Sequence, residues 1–288
     1  MMKRTVKRKL VSKKSSVALY LVIAILCTTC LGAFASSLMG NKGSGNGTTV
    51  ESIEGKYISF LGDSITTYTD WSNNTDYNST IGSNVASYNS SILPSVTDTW
   101  WKKTIDELGM KLCVNNSWGG SHVTTHGGTT SAACMTRAQN LHNDNKNIKP
   151  DIIVVYIGIN DYRAGVTLGS FESESDIYDS STRSYTGDLS KFADAYATMV
   201  HKMKKAYPEA DIYLCNLVNY NEALKAWNTV IKNIAKEFDC NLVDFYNGTG
   251  INASNVGSYT IGDKLHPNKL GMTKMYSCIK KSLQNNYD

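Results

Sequence analysis

The chain has no internal repeat of solenoid length, so repeat architectures are excluded. What remains for 288 residues, 41% hydrophobic and 19% charged, is one sizeable globular domain with a flank. The domain contains no Cys-x-x-Cys pair and no His-Glu-x-x-His, so nothing calls for a metal, and no cofactor is expected. Acidic residues are missing from residues 1–35, which hold Lys3, Arg4, Lys7, Arg8, Lys9, Lys13 and Lys14. Without that segment, 22 basic residues face 25 acidic ones, a net charge of about −3. The overall +4 therefore belongs to the N-terminus, and the folded part offers no electrostatic case for binding nucleic acid.

What is present begins with an apolar run, Val17-Ala18-Leu19-Tyr20-Leu21-Val22-Ile23-Ala24-Ile25-Leu26, that continues with small residues to Ala35. A basic stretch, an apolar stretch and Ala33-Phe34-Ala35 read as an export signal cleaved after Ala35. The segment from Val17 to Ala35 is also near the length of a membrane span, so an uncleaved anchor is the equal alternative. Basic residues ahead of it keep the N-terminus inside and put the domain outside the cytoplasm, secreted or held at the surface, under either reading. A lipoprotein signal at Cys30 fits poorly. Residues 39–55 are rich in Gly, Ser and Asn and read as a flexible linker. The expected organisation is therefore 1–35 signal or anchor, 36–55 linker and 56–288 domain. The domain's five cysteines are odd in number, and Cys113, Cys215 and Cys240 fall in or beside expected core strands, which favours thiols over a disulfide framework.

Within the domain, short apolar runs at 57–61, 111–115, 152–157, 211–217 and 241–245 alternate with helical patterns. Ile152-Ile153-Val154-Val155-Tyr156-Ile157 is apolar on both faces, as a central parallel strand must be. Helices are expected from near Asp98 to Gly109, over 131–142, around Phe192, Ala195, Tyr196, Met199 and Met203, around Leu224, Trp227, Ile231, Ile234 and Phe238, and over 268–284. Repeated βα units predict an α/β domain, a parallel sheet with helices on both faces.

Ligands of such sheets bind at the carboxyl ends of the strands. Gly62-Asp63-Ser64-Ile65-Thr66 follows the first strand, Gly119-Gly120-Ser121 the second and Gly158-Ile159-Asn160-Asp161 the third. Asp263-Lys264-Leu265-His266-Pro267 follows the fifth and precedes the last helix. One edge thus gathers a serine, a backbone amide, a carboxamide and an Asp/His pair, which are the parts of an acyl-transfer site. Ser64 is the candidate nucleophile, His266 the base and then acid, and Asp263 the carboxylate that orients the imidazole. Gly120, Asn160 and the Ser64 amide are the candidate oxyanion donors. Each has a plainer reading: a helix N-cap for Ser64, a cap of the last helix for Asp263, a turn for Gly120 and an Asx turn for Asn160.

These blocks resemble the SGNH (GDSL-type) hydrolases over about residues 56–285. The first block carries Ile65 where the family name has Leu. In the second, Asn116-Ser117-Trp118-Gly119-Gly120-Ser121, Gly120 suits the family's glycine amide better than Gly119. The third block and Asp263-x-x-His266-Pro267 match in full. The resemblance implies a three-layer α/β/α sandwich, flavodoxin-like, with five parallel strands ordered 2-1-3-4-5. The Gly-x-Ser-x-Gly elbow of the α/β-hydrolases is absent.

Asp63 and Asp161 are expected to hold loops, and Trp118, Tyr162 and Arg163 to line the substrate pocket. His142 and His201 are placed on helices at the surface; His122 and His126 lie near the active edge. Ser277-Cys278-Ile279-Lys280 matches Ser-x-x-Lys by chance inside the last helix. Residues 67–97, with Tyr68, Trp71, Tyr77 and Tyr88, and 162–187, with Tyr162, Phe171 and Tyr185, exceed ordinary connector length. Aromatics mixed with amides suit sugar binding, and neither loop has the apolar runs of a long-chain lipase. The expected function is a serine esterase acting on small acyl, foremost acetyl, esters of a small molecule or glycan. Its alternatives are an acyltransferase on a surface polymer, a lysophospholipase or thioesterase, and a carbohydrate-binding module without catalysis.

Overall fold

The computed structural model describes residues 51–69 and 88–287. The segments read as signal or anchor and most of the linker, and Trp71 and Tyr77, lie outside them. Five parallel strands form the main sheet: β1 (Tyr57–Gly62), β2 (Lys111–Ser117), β3 (Ile152–Tyr156), β6 (Asp211–Cys215) and β7 (Asn241–Val243). Their order is β2-β1-β3-β6-β7. Two very short strands, β4 (Tyr178–Asp179) and β5 (Ser184–Tyr185), form a separate antiparallel pair. Counting the main sheet alone, the order is the expected 2-1-3-4-5. The helices are α1 (Trp100–Glu107), α2 (Ile159–Arg163), α3 (Phe192–Ala206), α4 (Leu224–Glu237), α5 (Phe245–Gly248), α6 (Val256–Tyr259) and α7 (Lys269–Tyr287).

Every residue of β3 is buried, which its two-faced apolar sequence requires. β1 lies between β2 and β3, with Gly62 opposite Ser117 on one side and Tyr156 on the other. The β1/β2 register shifts between Ile58 and Phe60. There Ser59 Oγ donates to Leu141 O (2.7 Å) and accepts from Val114 N (3.2 Å), so the Val114 amide finds a side-chain acceptor at the irregularity. Thr99 caps α1, its hydroxyl accepting from Lys102 N. The helix buries Trp100 against the edges of Phe60, Tyr156 and Phe245 at 5.5–6.1 Å between ring centroids. Trp100 Nε1 donates to Ile65 O (3.2 Å), fastening α1 to the turn after β1.

Three expectations need correction. Residues 131–142 form turns around a short 3₁₀ turn, Arg137–Gln139, not an α-helix. The amides of Ala133 and Cys134 donate to the carbonyls of His122 and Val123, so the bonds a helix would have closed locally run across to a neighbouring loop. His201 lies on α3 but is buried, its Nδ1 3.1 Å from Tyr185 Oη and its Nε2 2.9 Å from Glu174 Oε1. His142 is half-buried and not helical, between Tyr207 Oη and Asp144. Finally, the folded unit starts before residue 56. Ile53 is buried and Gly55 N donates to Gly109 O (2.9 Å).

Candidate active site

Ser64 stands directly after β1 in a 3₁₀ turn, Ser64–Thr66, capped by Asp63, whose Oδ1 accepts from Ile65 N (3.0 Å). Its hydroxyl lies 2.9 Å from His266 Nε2, and His266 Nδ1 lies 2.5 Å from Asp263 Oδ2. With Nδ1–H donating to the carboxylate, Nε2 is left to accept the Ser64 hydroxyl proton. The other oxygen of Asp263 accepts from the amides of Leu265 and His266, both at 2.9 Å. The carboxylate thus shapes the turn and faces the imidazole at once. Partial burial acts to raise the Asp263 pKa, but the bonds from the His266 ring and from the His266 and Leu265 amides outweigh it and hold the carboxyl below its ordinary range. Behind the imidazole, Tyr88 presents its ring edge-on at 6.0 Å and donates its hydroxyl to Pro267 O (3.0 Å).

The glycine block turns beside this row. Gly120 has φ +70°, a left-handed conformation that glycine adopts freely, and a Cβ there would meet nothing within 4 Å. The backbone N–H groups of Gly120 and Ser64 donate to no acceptor among the described residues. Asn160 spends one N–H of its carboxamide on Ser121 O (2.9 Å) and keeps the other. Its neighbour Asp161, fully buried, accepts from Val123 N, Thr124 N and Thr124 Oγ1 at 2.7–3.0 Å. The third block therefore grips the loop after the second at two adjacent residues. Gly158, at φ +125°, lets the chain leave β3 and enter α2, where Asn160 and Asp161 sit. Chemically, the arrangement offers a hydroxyl in line with a base and an oriented carboxylate, beside amide donors with no other duty.

The model of the family GDSL-like Lipase/Acylhydrolase matches residues 56–283. The chain belongs to this family. A Bacteroides ovatus protein described as a GDSL-like lipase is similar at 25% identity, with a TM-score of 0.62 over 81% of this chain and 99% of that one. A Bacteroides uniformis protein of the same description gives 25% identity and a TM-score of 0.59 over 80% and 96%. A family two carbohydrate esterase from Clostridium thermocellum, seen in complex with cellohexaose, shares the fold at 18% identity and a TM-score of 0.51, over 82% of this chain and 65% of that one. No curated protein matches the sequence. The protein is an ester-hydrolysing serine hydrolase with an α/β fold.

In this GDSL-like acylhydrolase the residues expected to line a pocket have different surroundings. Trp118 is buried, its Nε1 donating to Asn116 Oδ1 (3.0 Å) and its ring 5.0 Å from the Arg137 guanidinium. It braces the glycine block, with little surface left for substrate. Tyr162 packs edge-on to Trp227 at 5.7 Å and is half-buried, while Arg163, at the end of α2, is exposed. Tyr68 and Tyr88 are buried, Tyr68 donating to Leu93 O (2.8 Å), so neither offers a face for a sugar. Phe171 stacks on Phe238 at 5.8 Å, drawing the second long loop onto the body of the domain. His122 and His126 lie 5.3 Å apart on the loop gripped by Asp161, and burial lowers the His122 pKa. Ser277 donates to Thr273 O within α7, and its Ser-x-x-Lys match has no part in the site. Among the described residues no group of three or more His, Cys, Asp or Glu side chains is arranged to hold a metal.

Sequence reasoning missed Arg137 and Asn116. Arg137 is 1% exposed and donates to Gly62 O, Asn116 O and Ser131 O at 2.7–2.8 Å and to Asn116 Oδ1 at 3.3 Å. Burial lowers its pKa to about 9, opposed by the charge of Asp63. Burial pushes Asp63 up to about 7, with the Ile65 amide and the Arg137 charge opposing it only in part. The signal that could have found Arg137 is a lone cation in a run, residues 129–138, whose other residues are small or apolar.

Proposed function

We propose that the protein is an exported serine esterase that removes small acyl groups, acetyl foremost, from carbohydrate. Ser64 attacks the ester carbonyl while His266 takes its proton, Asp263 steadies the imidazolium, and the Ser64, Gly120 and Asn160 N–H groups receive the oxyanion. His266 then protonates the departing alcohol, and water, activated by the same imidazole, releases the acid. The observation that carries this reading is the unbroken row from Ser64 Oγ through both nitrogens of His266 to Asp263. The absence of long apolar runs from the two long loops favours a small acyl group. The polar, aromatic composition of those loops and the fold shared with a carbohydrate esterase favour a glycan. The basic and apolar N-terminal segment supports work outside the cytoplasm, with the domain secreted or tethered.

The test is hydrolysis of p-nitrophenyl acetate, butyrate and octanoate by wild type and Ser64→Ala. Activity that is greatest on acetate, fades with chain length and disappears in the variant is the expected result; acetylated glycans follow as substrates. Activity rising toward octanoate contradicts the small-acyl assignment.

A further inference from the structure

Arg137 is a buried cation that makes no salt bridge among the described residues, the charge of Asp63 acting on it only from a distance. A core position that needs only filling is served better by an apolar side chain, because burying a charge is expensive. Here the charge is kept, and every hydrogen bond it makes goes to an oxygen of three segments. Nη2 donates to both Gly62 O (2.8 Å) and Asn116 O (2.7 Å), Nε to Asn116 Oδ1 (3.3 Å) and Nη1 to Ser131 O (2.7 Å). Gly62 leads through Asp63 into Ser64, and Asn116 leads through Trp118 into Gly120. The same Gly62 carbonyl accepts from Trp118 N (3.2 Å) and, more weakly, from Ser121 Oγ (3.4 Å). Trp118 closes the cluster, its ring under the guanidinium and its Nε1 on Asn116 Oδ1. Sheet pairing ends at Gly62 and Ser117. Past that point the two oxyanion-bearing turns are held to each other by these bonds, by Trp118 N on Gly62 O, and by Asn115 Nδ2 on Thr66 O (2.9 Å), with Arg137 the one group among the described residues that reaches both strand ends and Ser131.

We propose that Arg137 is a positioning residue for ester hydrolysis, a planar fork that sets the Ser64 turn and the Gly120 turn at the spacing the oxyanion needs. This rests on the assignment of Ser64 and Gly120 made above. Lysine keeps the charge but has no rigid fork to span the carbonyls of Gly62 and Asn116. Methionine removes the charge and fills a similar volume, a change that buried ions often tolerate without loss of folding.

The experiment compares wild type, Arg137→Lys and Arg137→Met. It measures thermal melting, kcat and KM on p-nitrophenyl acetate, and amide hydrogen exchange resolved at residues 62–66 and 117–122. In each variant that melts cooperatively, kcat falls by about 10- to 100-fold with KM within about twofold. Exchange quickens in the two turns, while α3 and α4 keep wild-type protection. A folded variant with wild-type kcat, or with unchanged exchange in both turns, overturns the proposal. If wild type shows no Ser64-dependent hydrolysis, the functional reading fails by itself, and the exchange measurement still decides whether Arg137 ties the turns.

Discussion

Asp63 is the residue whose environment differs most from what its neighbours in sequence suggest. It sits beside the nucleophile, yet its second oxygen is buried without a hydrogen-bond partner among the described residues, and burial pushes its pKa up to about 7. A carboxyl whose folded pKa exceeds its ordinary value of 3.8 takes up a proton on folding. Its contribution to stability is complete below that ordinary value and is lost as pH rises toward about 7. Asp63→Asn keeps an acceptor for Ile65 N and removes the titration. The variant's melting temperature should therefore fall less than that of wild type between pH 4 and pH 8; parallel curves contradict this. Ser64, Asn160, Asp263 and His266 were legible in the sequence because each is a chemically distinctive residue in a short block with a fixed place after a strand. Arg137 was not, because its role depends on three segments meeting, and no local pattern records that. Tyr68 and Tyr88 misled for the same reason: a tyrosine in a polar stretch reads as exposed, whereas their hydroxyls find backbone carbonyls inside the fold.

At the scale of elements, the strand ends and helix starts place the chemistry. The bend from β3 into α2 rests on Gly158, whose φ of +125° is closed to residues with a Cβ, and a Cβ there would lie 2.8 Å from the Phe192 ring. Gly158→Ala is expected to cost about 3 kcal/mol from strain and overpacking together. The melting temperature then drops by roughly 10 °C. The displaced Asn160 carboxamide lowers kcat at least about tenfold. Melting curves and kinetics on one acetyl ester check both, and a variant melting within about 2 °C of wild type refutes the strain argument. The strands and long helices were legible because their apolar periodicity is answered locally. Residues 131–142 were not. Their apolar spacing is helical, but Ala133 and Cys134 give their amides to the 122–123 backbone, and Arg137 turns inward at a point where a helix would have carried it along.

For the whole molecule, a parallel sheet with β3 at its centre and β1 beside it explains why residues so far apart in sequence meet: three blocks leave the sheet at the same edge, and the fourth, between α6 and α7, comes back to Ser64. That convergence follows from βα alternation and is legible in the sequence. The start of the folded unit was less so, because Ile53 stands at the end of a Gly/Ser/Asn-rich stretch and a single apolar residue carries no periodicity. Its burial and the Gly55–Gly109 bond predict that a chain begun at Lys56 is less stable than one begun at Val50. The difference should be about 2 kcal/mol. It should appear as a melting temperature lower by roughly 5 °C, whereas coincident melts would place the boundary at residue 56 after all.

If Ser64 carries the acyl group, the acetyl-enzyme can be trapped during turnover. Wild type is mixed with p-nitrophenyl acetate, quenched in acid during turnover, digested and weighed. The expected result is one acetyl group on the peptide containing Ser64, absent from Ser64→Ala and strongly reduced in His266→Ala, because the imidazole takes the serine proton in the acylation step. Acetyl carried on another residue, or hydrolysis by Ser64→Ala at the wild-type rate, would contradict it.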